Sequence, residues 1–366
     1  MNRKSKTRDE MRQLVKDGGR GLVMLDIRDD IDFLKGTMAH DDLRAWIEAC
    51  QDVGTDANLI FGEADYLPAN HLWGRKRCSR CEGDNTITDI LQPTPLKPLH
   101  GEEVAEPGQK PARTKMYINA EEDYESFIAL MGKWRESRHD ITDNLKRQRN
   151  VIGDDGFMMV FVSQPIEMYY FILQYEMVMH YLDFPETYAR AMAEVEKTAH
   201  CIIDCAADAG ADMIMFGGAG TEIFNPEMID SHVVESSKRY AEHCRQRDIF
   251  SLMHCCGRTN ILLENNCFDR VRPTIFESFT EAPLGDIHSP ASAVKRLPKD
   301  IFFKGGLSLD VLRRGSPQDV ERMVRQAYAD FGDHRFILAG TCAVLTGTPR
   351  ENLLAVTRTA AEITQK

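Results

Sequence analysis

Beyond residue 150 the chain alternates short apolar runs with longer segments of helical period, and this alternation restricts the fold more than any other feature. The apolar runs lie at residues 157–162, 212–216, 249–253, 274–276, 301–304 and 336–339. Helical patterns separate most of them. Residues 185–209 place Tyr188, Met192, Val195, Ala199 and Ile202 on one face. Residues 226–245 have Asn225 as N-cap and Pro226 at the first helical position, where its missing N–H costs nothing. Ser316-Pro317 opens a third helix running to Phe331, and Thr348-Pro349 opens a fourth running to the end of the sequence. Short hydrophobic strands alternating with helices mean a parallel sheet covered on its faces. Six strands, with earlier ones to add, fit a (β/α)8 TIM barrel better than an open sheet. No GxGxxG follows a first strand and no GxxxxGK[ST] occurs, so the usual nucleotide-binding versions lack support.

The first 150 residues read as a helical and irregular elaboration of that α/β core. Residues 1–20 are charged and form a helix or a loose arm. Residues 27–56 carry Ile31, Leu34, Leu43, Trp46 and Ile47 at roughly helical spacing, and residues 58–61 are a strand candidate. Residues 62–115 read as a long irregular excursion with a β-hairpin around Thr86 to Leu91. So long a stretch is unusual in a compact domain unless it covers a site. Residues 121–147 read as helical.

A 43% hydrophobic content is enough for a sizeable core, and the net charge of −12 argues against a nucleic-acid backbone as partner. No stretch approaches the ~18 apolar residues of a membrane span. The basic N-terminus has no hydrophobic segment behind it, so it does not read as a secretory signal. Ten cysteines in such a chain are expected to be reduced thiols in the cytoplasm, some in the core and some as ligands.

In a (β/α)8 barrel the reacting groups sit at the C-terminal ends of the strands. Those ends read, in order, Gly217-Gly218-Ala219-Gly220, His254-Cys255-Cys256-Gly257, Glu277-Ser278-Phe279, Gly305-Gly306-Leu307-Ser308 and Gly340-Thr341-Cys342. Residues two apart in a strand point to the same side, so His254 and Cys256 can face one point while Cys255 faces away. Cys342 brings a further thiol to the same end. An imidazole and two thiols suit zinc, and Glu277 on the neighbouring strand end is the candidate fourth ligand. Three firm ligands and one replaceable one describe a catalytic zinc, with Glu277 as the group that moves when substrate binds. Gly217, Gly218, Gly305 and Gly306 either let a cofactor approach the backbone or make tight turns.

Each of these residues also has an ordinary reading. A buried cysteine is usually a small core residue, and Cys50, Cys201, Cys205, Cys244 and Cys267 read that way. Cys78-Ser79-Arg80-Cys81 has the spacing of half a zinc knuckle, but no second pair accompanies it and it sits in a basic stretch. Met158-Met159 and Met168-Tyr169-Tyr170-Phe171 read first as core, and second as an adaptable wall for a large flat cofactor.

The stretches ADMIMFGGAGTEIFNPEMID, SLMHCCGRTN, FFKGGLSLDVLRRGSPQDVERMV and ILAGTCAVLTGTPRENLLAV resemble the uroporphyrinogen decarboxylase superfamily of (β/α)8 barrels. The resemblance runs from about residue 151 to the end and is loose over residues 1–150, within one domain spanning 1–366. One branch of that superfamily decarboxylates porphyrinogens without a metal. Another comprises cobalamin-dependent methyltransferases with zinc on His-x-Cys and a distant Cys, which His254, Cys256 and Cys342 match, and Glu277 falls where that branch has an acidic residue. The decarboxylase branch has an Arg-rich N-terminal signature, to which Arg12-Gln13 and Gly19-Arg20-Gly21 are poor matches.

The resemblance therefore implies a zinc-dependent methyltransferase moving a methyl group between a corrinoid protein and a small methyl donor or acceptor. The corrinoid would be carried by a separate partner, with no nucleic acid or membrane involved, and a homodimer is open. The alternatives are a metal-free decarboxylase and a zinc- or tetrapyrrole-binding protein without turnover.

Overall fold

The side chains of each central strand feed two different cores, as expected for strands that read as unbroken apolar runs. A computed structural model describes residues 3–28, 42–67, 76–109, 111–165, 174–217, 224–255, 257–282 and 285–364. Eight of its twelve strands are parallel: β1 Leu22–Val23, β2 Asn58–Phe61, β7 Phe157–Phe161, β8 Met213–Phe216, β9 Phe250–His254, β10 Ile275–Glu277, β11 Phe302–Leu307 and β12 Phe336–Gly340. Their order is β1-β12-β11-β10-β9-β8-β7-β2. The circle is completed just before β2, where the N–H of Asp56 donates to the Val23 carbonyl at 2.7 Å. The Asp56 carboxylate accepts from the N–H of Val23 at 2.9 Å. This is a (β/α)8 barrel.

The inner core is filled by alternate strand residues, among them Leu22, Ile60, Phe157, Met213, Phe250, Leu252, Ile275, Phe302 and Ile337. The intervening residues, such as Leu59, Met158, Ile214, Met253, Phe276, Phe303 and Leu338, pack under the helices. Met158 and Met159 are both fully buried, one in each core, so they pack the barrel wall from its two sides. Met168 to Phe171 lie outside the described residues.

The bottom of the barrel is plugged by helix Arg8–Asp17, which the charged N-terminus builds with a capping box between Thr7 and Glu10. Met11 and Val15 enter the inner core. Arg8 and Arg12 reach the wholly buried Asp212 at the start of β8, at 2.7 and 3.2 Å. Arg149 meets the same carboxylate at 2.8 Å. The outer seam between the ends of the chain is tied by Thr357, whose hydroxyl donates to the Val53 carbonyl at 2.6 Å.

The region before residue 150 departs from its sequence reading in two places. Residues 76–115 are not irregular: β3 Lys76–Glu82, β4 Asn85–Gln92, β5 Leu99–Ala105 and β6 Ala112–Lys115 form an antiparallel sheet in chain order. Its first hairpin turns at Gly83-Asp84, not around Thr86 to Leu91, which belong to the middle of β4. Ile90 and Leu99 anchor one face in the main core, while the rest carries an ion-pair ladder that includes Arg113–Glu103 at 2.8 Å. The helical segment 121–147 is two helices, Asp123–Glu136 and Arg138–Ile152, broken at Ser137. No helix among the described residues is long and apolar enough to cross a membrane.

Candidate active site

Strand parity decides which side chains the barrel presents at its C-terminal end. On β9, Phe250 and Leu252 point inward, so His254 does too, and Cys255 falls in the outer core, buried among apolar side chains. On β10, Ile275 points inward and Glu277 follows. Glu277 is paired in register with His254. On β11, Phe302 points inward and Lys304 follows, buried to 1% exposure. The interior thus ends in a row of imidazole, carboxylate and ammonium drawn from three adjacent strands.

The contacts within this row are close. The Lys304 Nζ donates to Glu277 Oε1 at 2.6 Å. Glu277 Oε2 lies 3.4 Å from His254 Nδ1. Burial alone would raise the Glu277 pKa, but the charge of Lys304 and the contact with His254 outweigh it and hold the carboxyl near about 2. Glu277 is therefore an ionised carboxylate inside the protein. Asp26, on the chain leaving β1, is also nearly buried, and burial raises its carboxyl despite the nearby charges of Arg28 and Lys304.

A third carboxyl group lies across the opening. Glu63 follows β2, and its Oε1 accepts from the Ser163 hydroxyl, beyond β7, at 2.7 Å. Burial raises this carboxyl as well. Sequence reasoning missed Glu63, Asp26 and Lys304. Their signal was positional: Glu63 and Asp26 lie just beyond the C-terminal ends of β2 and β1, and Lys304, within β11, shares the inward parity of Phe302.

Cys342 follows β12 at the same end and is exposed. Its segment is tied to that of Glu277, because the Ser278 hydroxyl donates to the Thr341 carbonyl at 2.8 Å. Cys256 and Gly218 lie outside the described residues. Among the described residues no three of His, Cys, Asp and Glu gather to hold a metal ion. What they do provide is a pair of donors, His254 and Glu277, converging at the end where Cys342 also arrives. The donor types, nitrogen, carboxylate oxygen and thiol sulfur, fit zinc.

The glycines make room for protein. A Cβ on Gly217, whose φ is +91°, would lie 2.4 Å from the His254 carbonyl oxygen. One on Gly305 would meet the Phe303 ring at 2.9 Å, and one on Gly306 would meet Phe331, Phe336 and Ala327 at 3.2 to 3.3 Å. Close packing against the chain's own atoms thus gives Gly217, Gly305 and Gly306 a use that neither reading of them named. Cys78 and Cys81 are three apart on the extended strand β3, so their thiols project from opposite faces and cannot share one metal ion.

Comparisons with known proteins agree with the fold. The family model described as "Uroporphyrinogen decarboxylase (URO-D)" matches residues 101–363. A methyltransferase from Methanosarcina mazei superposes with a TM-score of 0.66 at 12% identity, covering 98% of this chain and 99% of that one. A B12-independent methionine synthase from Shewanella sp. W3-18-1 gives 0.47 at 13% identity, covering 94% and 96%. A putative vitamin-B12 independent methionine synthase from Listeria monocytogenes gives 0.45 at 14%, covering 99% of each chain. At 12% identity the likeness to the Methanosarcina protein is one of fold. No curated protein matches the chain. With the family model spanning most of the sequence and the barrel it requires present, the chain belongs to the uroporphyrinogen decarboxylase family.

Proposed function

We propose that this protein is a zinc-dependent methyltransferase that moves a methyl group between a corrinoid carried by a partner protein and a small substrate. The observation that carries the reading is the ionised Glu277 carboxylate beside His254 at the catalytic end of the barrel. An imidazole and a carboxylate oxygen brought together from adjacent strands are donor types that zinc accepts. His254, Cys256 and Cys342 would hold the metal, with Glu277 as the ligand or neighbour that yields when substrate enters. Zinc bound there would supply Lewis-acid chemistry, making a substrate thiol a thiolate near neutral pH.

The chain's own residues do the positioning. Lys304 keeps Glu277 ionised and fixes one of its oxygens. The carboxylate's other oxygen faces the imidazole Nδ1 at 3.4 Å and so bears on how the ring is oriented. Gly217 lets β8 close against the His254 backbone. The small sheet β3–β6 leaves the chain after β2, at the catalytic end, and is suited to enclosing substrate or meeting the corrinoid protein.

The rival reading is metal-free decarboxylation of a porphyrinogen, and the family model favours it by name. A substrate with many carboxylates needs fixed cations around it, best supplied by Arg forks. Arg28 and Lys304, cations that the strand ends do present, each already lie against a carboxylate, Asp26 and Glu277. Absorption spectroscopy separates the readings. A methylated corrinoid should be demethylated or remethylated by the zinc-loaded protein and not by metal-stripped protein. Carbon dioxide release from uroporphyrinogen by metal-stripped protein would establish the rival.

A further inference from the structure

We infer that Lys304 is a positioning residue that withholds one oxygen of Glu277 and so limits how strongly that carboxylate can hold a metal at His254. The inference rests on the zinc reading above. Its basis is the row across three strands. Glu277 pairs in register with His254, and Phe276 pairs with Phe303, so Lys304 is the next residue on β11 beside Glu277. Alternation turns all three side chains inward. The ammonium of Lys304 and the carboxylate of Glu277 are almost wholly removed from water, at 2% and 6% side-chain exposure. An ammonium so buried needs a carboxylate, and Glu277 Oε1 at 2.6 Å supplies it.

Glu277 therefore serves two neighbours with two oxygens. Oε1 belongs to Lys304 on one side, and Oε2 faces His254 at 3.4 Å on the other. A metal ion beside His254 meets one oxygen of a carboxylate whose charge is already shared. A ligand held in that way would be weak, and a substrate atom could displace it while its bond to Lys304 persists. Without Lys304 the whole carboxylate becomes available to the metal and competes harder with substrate. Asp26 also lies within the field of Lys304, and Arg28 offsets it, so the ammonium remains directed at Glu277.

The test is a double-mutant cycle read by zinc release to a chelator, with Lys304→Met, Glu277→Gln and the double variant, each checked for folding by circular dichroism. Lys304→Met is expected to release zinc more slowly than wild type, by at least about threefold. In the Glu277→Gln background the same change is expected to do nothing further, because Lys304 acts through Glu277 alone. Lys304→Arg, which keeps a cation on the carboxylate, is expected to restore the wild-type rate. Unchanged or faster release from Lys304→Met, or an equal change in both backgrounds, would overturn the inference. Wild-type protein without zinc would instead remove the zinc reading and this inference with it. Should Lys304→Met not fold, Lys304→Gln goes through the same cycle with the same expected and overturning results.

Discussion

The carbonyl oxygen of His254 occupies the space where a Cβ on Gly217 would project, at 2.4 Å. Gly217→Ala must therefore push β8 and β9 apart at the catalytic end, and it must also hold a positive φ that alanine resists. The expected cost is about 1–3 kcal/mol in denaturant unfolding, with a fall in bound zinc. An alanine variant with wild-type stability and full zinc would show that the strand ends adjust freely.

Zinc content tests the ligand assignment. Wild-type protein is expected to carry about one zinc per chain, and Cys256→Ser or Cys342→Ser to lose most of it. Cys78→Ser should keep it, since that thiol lies on the outlying sheet. Full zinc in Cys342→Ser, measured by elemental analysis, would take Cys342 out of the site.

Acid stability should report on Glu196. Burial alone would raise its carboxyl, but bonds to His200 and Arg239 prevail and hold it at about 2. The folded value lies below the unfolded one. The stabilisation is therefore complete above the unfolded value of 4.5 and is lost as pH falls from there towards about 2. Glu196→Gln is expected to flatten the fall in thermal midpoint across that window. The same slope in both proteins would count against it.

Asp212 should be among the costliest polar positions to truncate. It is wholly buried and receives Arg8, Arg12 and Arg149 as well as the N–H of Met158. Asp212→Ala takes the shared anion from Arg8 and Arg149 at the barrel floor and leaves Arg12 only Asp248, at 3.4 Å. The expected loss is about 3–5 kcal/mol by chemical denaturation. A loss under about 1 kcal/mol would mean that water replaces the carboxylate there.

The barrel was legible because strands buried on both faces have no polar alternation to obscure them. The runs at 58–61, 157–162 and 336–339 match β2, β7 and β12 to within a residue. β1 escaped notice because its two residues, Leu22 and Val23, are too few to show a pattern. The small sheet escaped because Arg77 to Glu82 is charged and exposed, although Gly83-Asp84 was a usable two-residue turn signal. In the site, His254 and Glu277 could be placed by strand parity. Lys304 could not be valued the same way, because a lysine closing a strand reads as a solvent-facing end until its partner's register is known.

The parallel pairing of Leu22 with Ile337 sets a condition on how the chain folds as it is made. β1 finds its ladder partner only when β12 has left the ribosome, and Thr357 lies 304 residues beyond Val53, to which it bonds. At ordinary rates of synthesis, β1 waits roughly 15–60 s for that partner. Until then Leu22 and Met24, both part of the inner core, lack the neighbours that β12 supplies, Ile337 among them. Closure of the barrel between β1 and β12 thus comes no earlier than the synthesis of β12, however soon the intervening strands have paired.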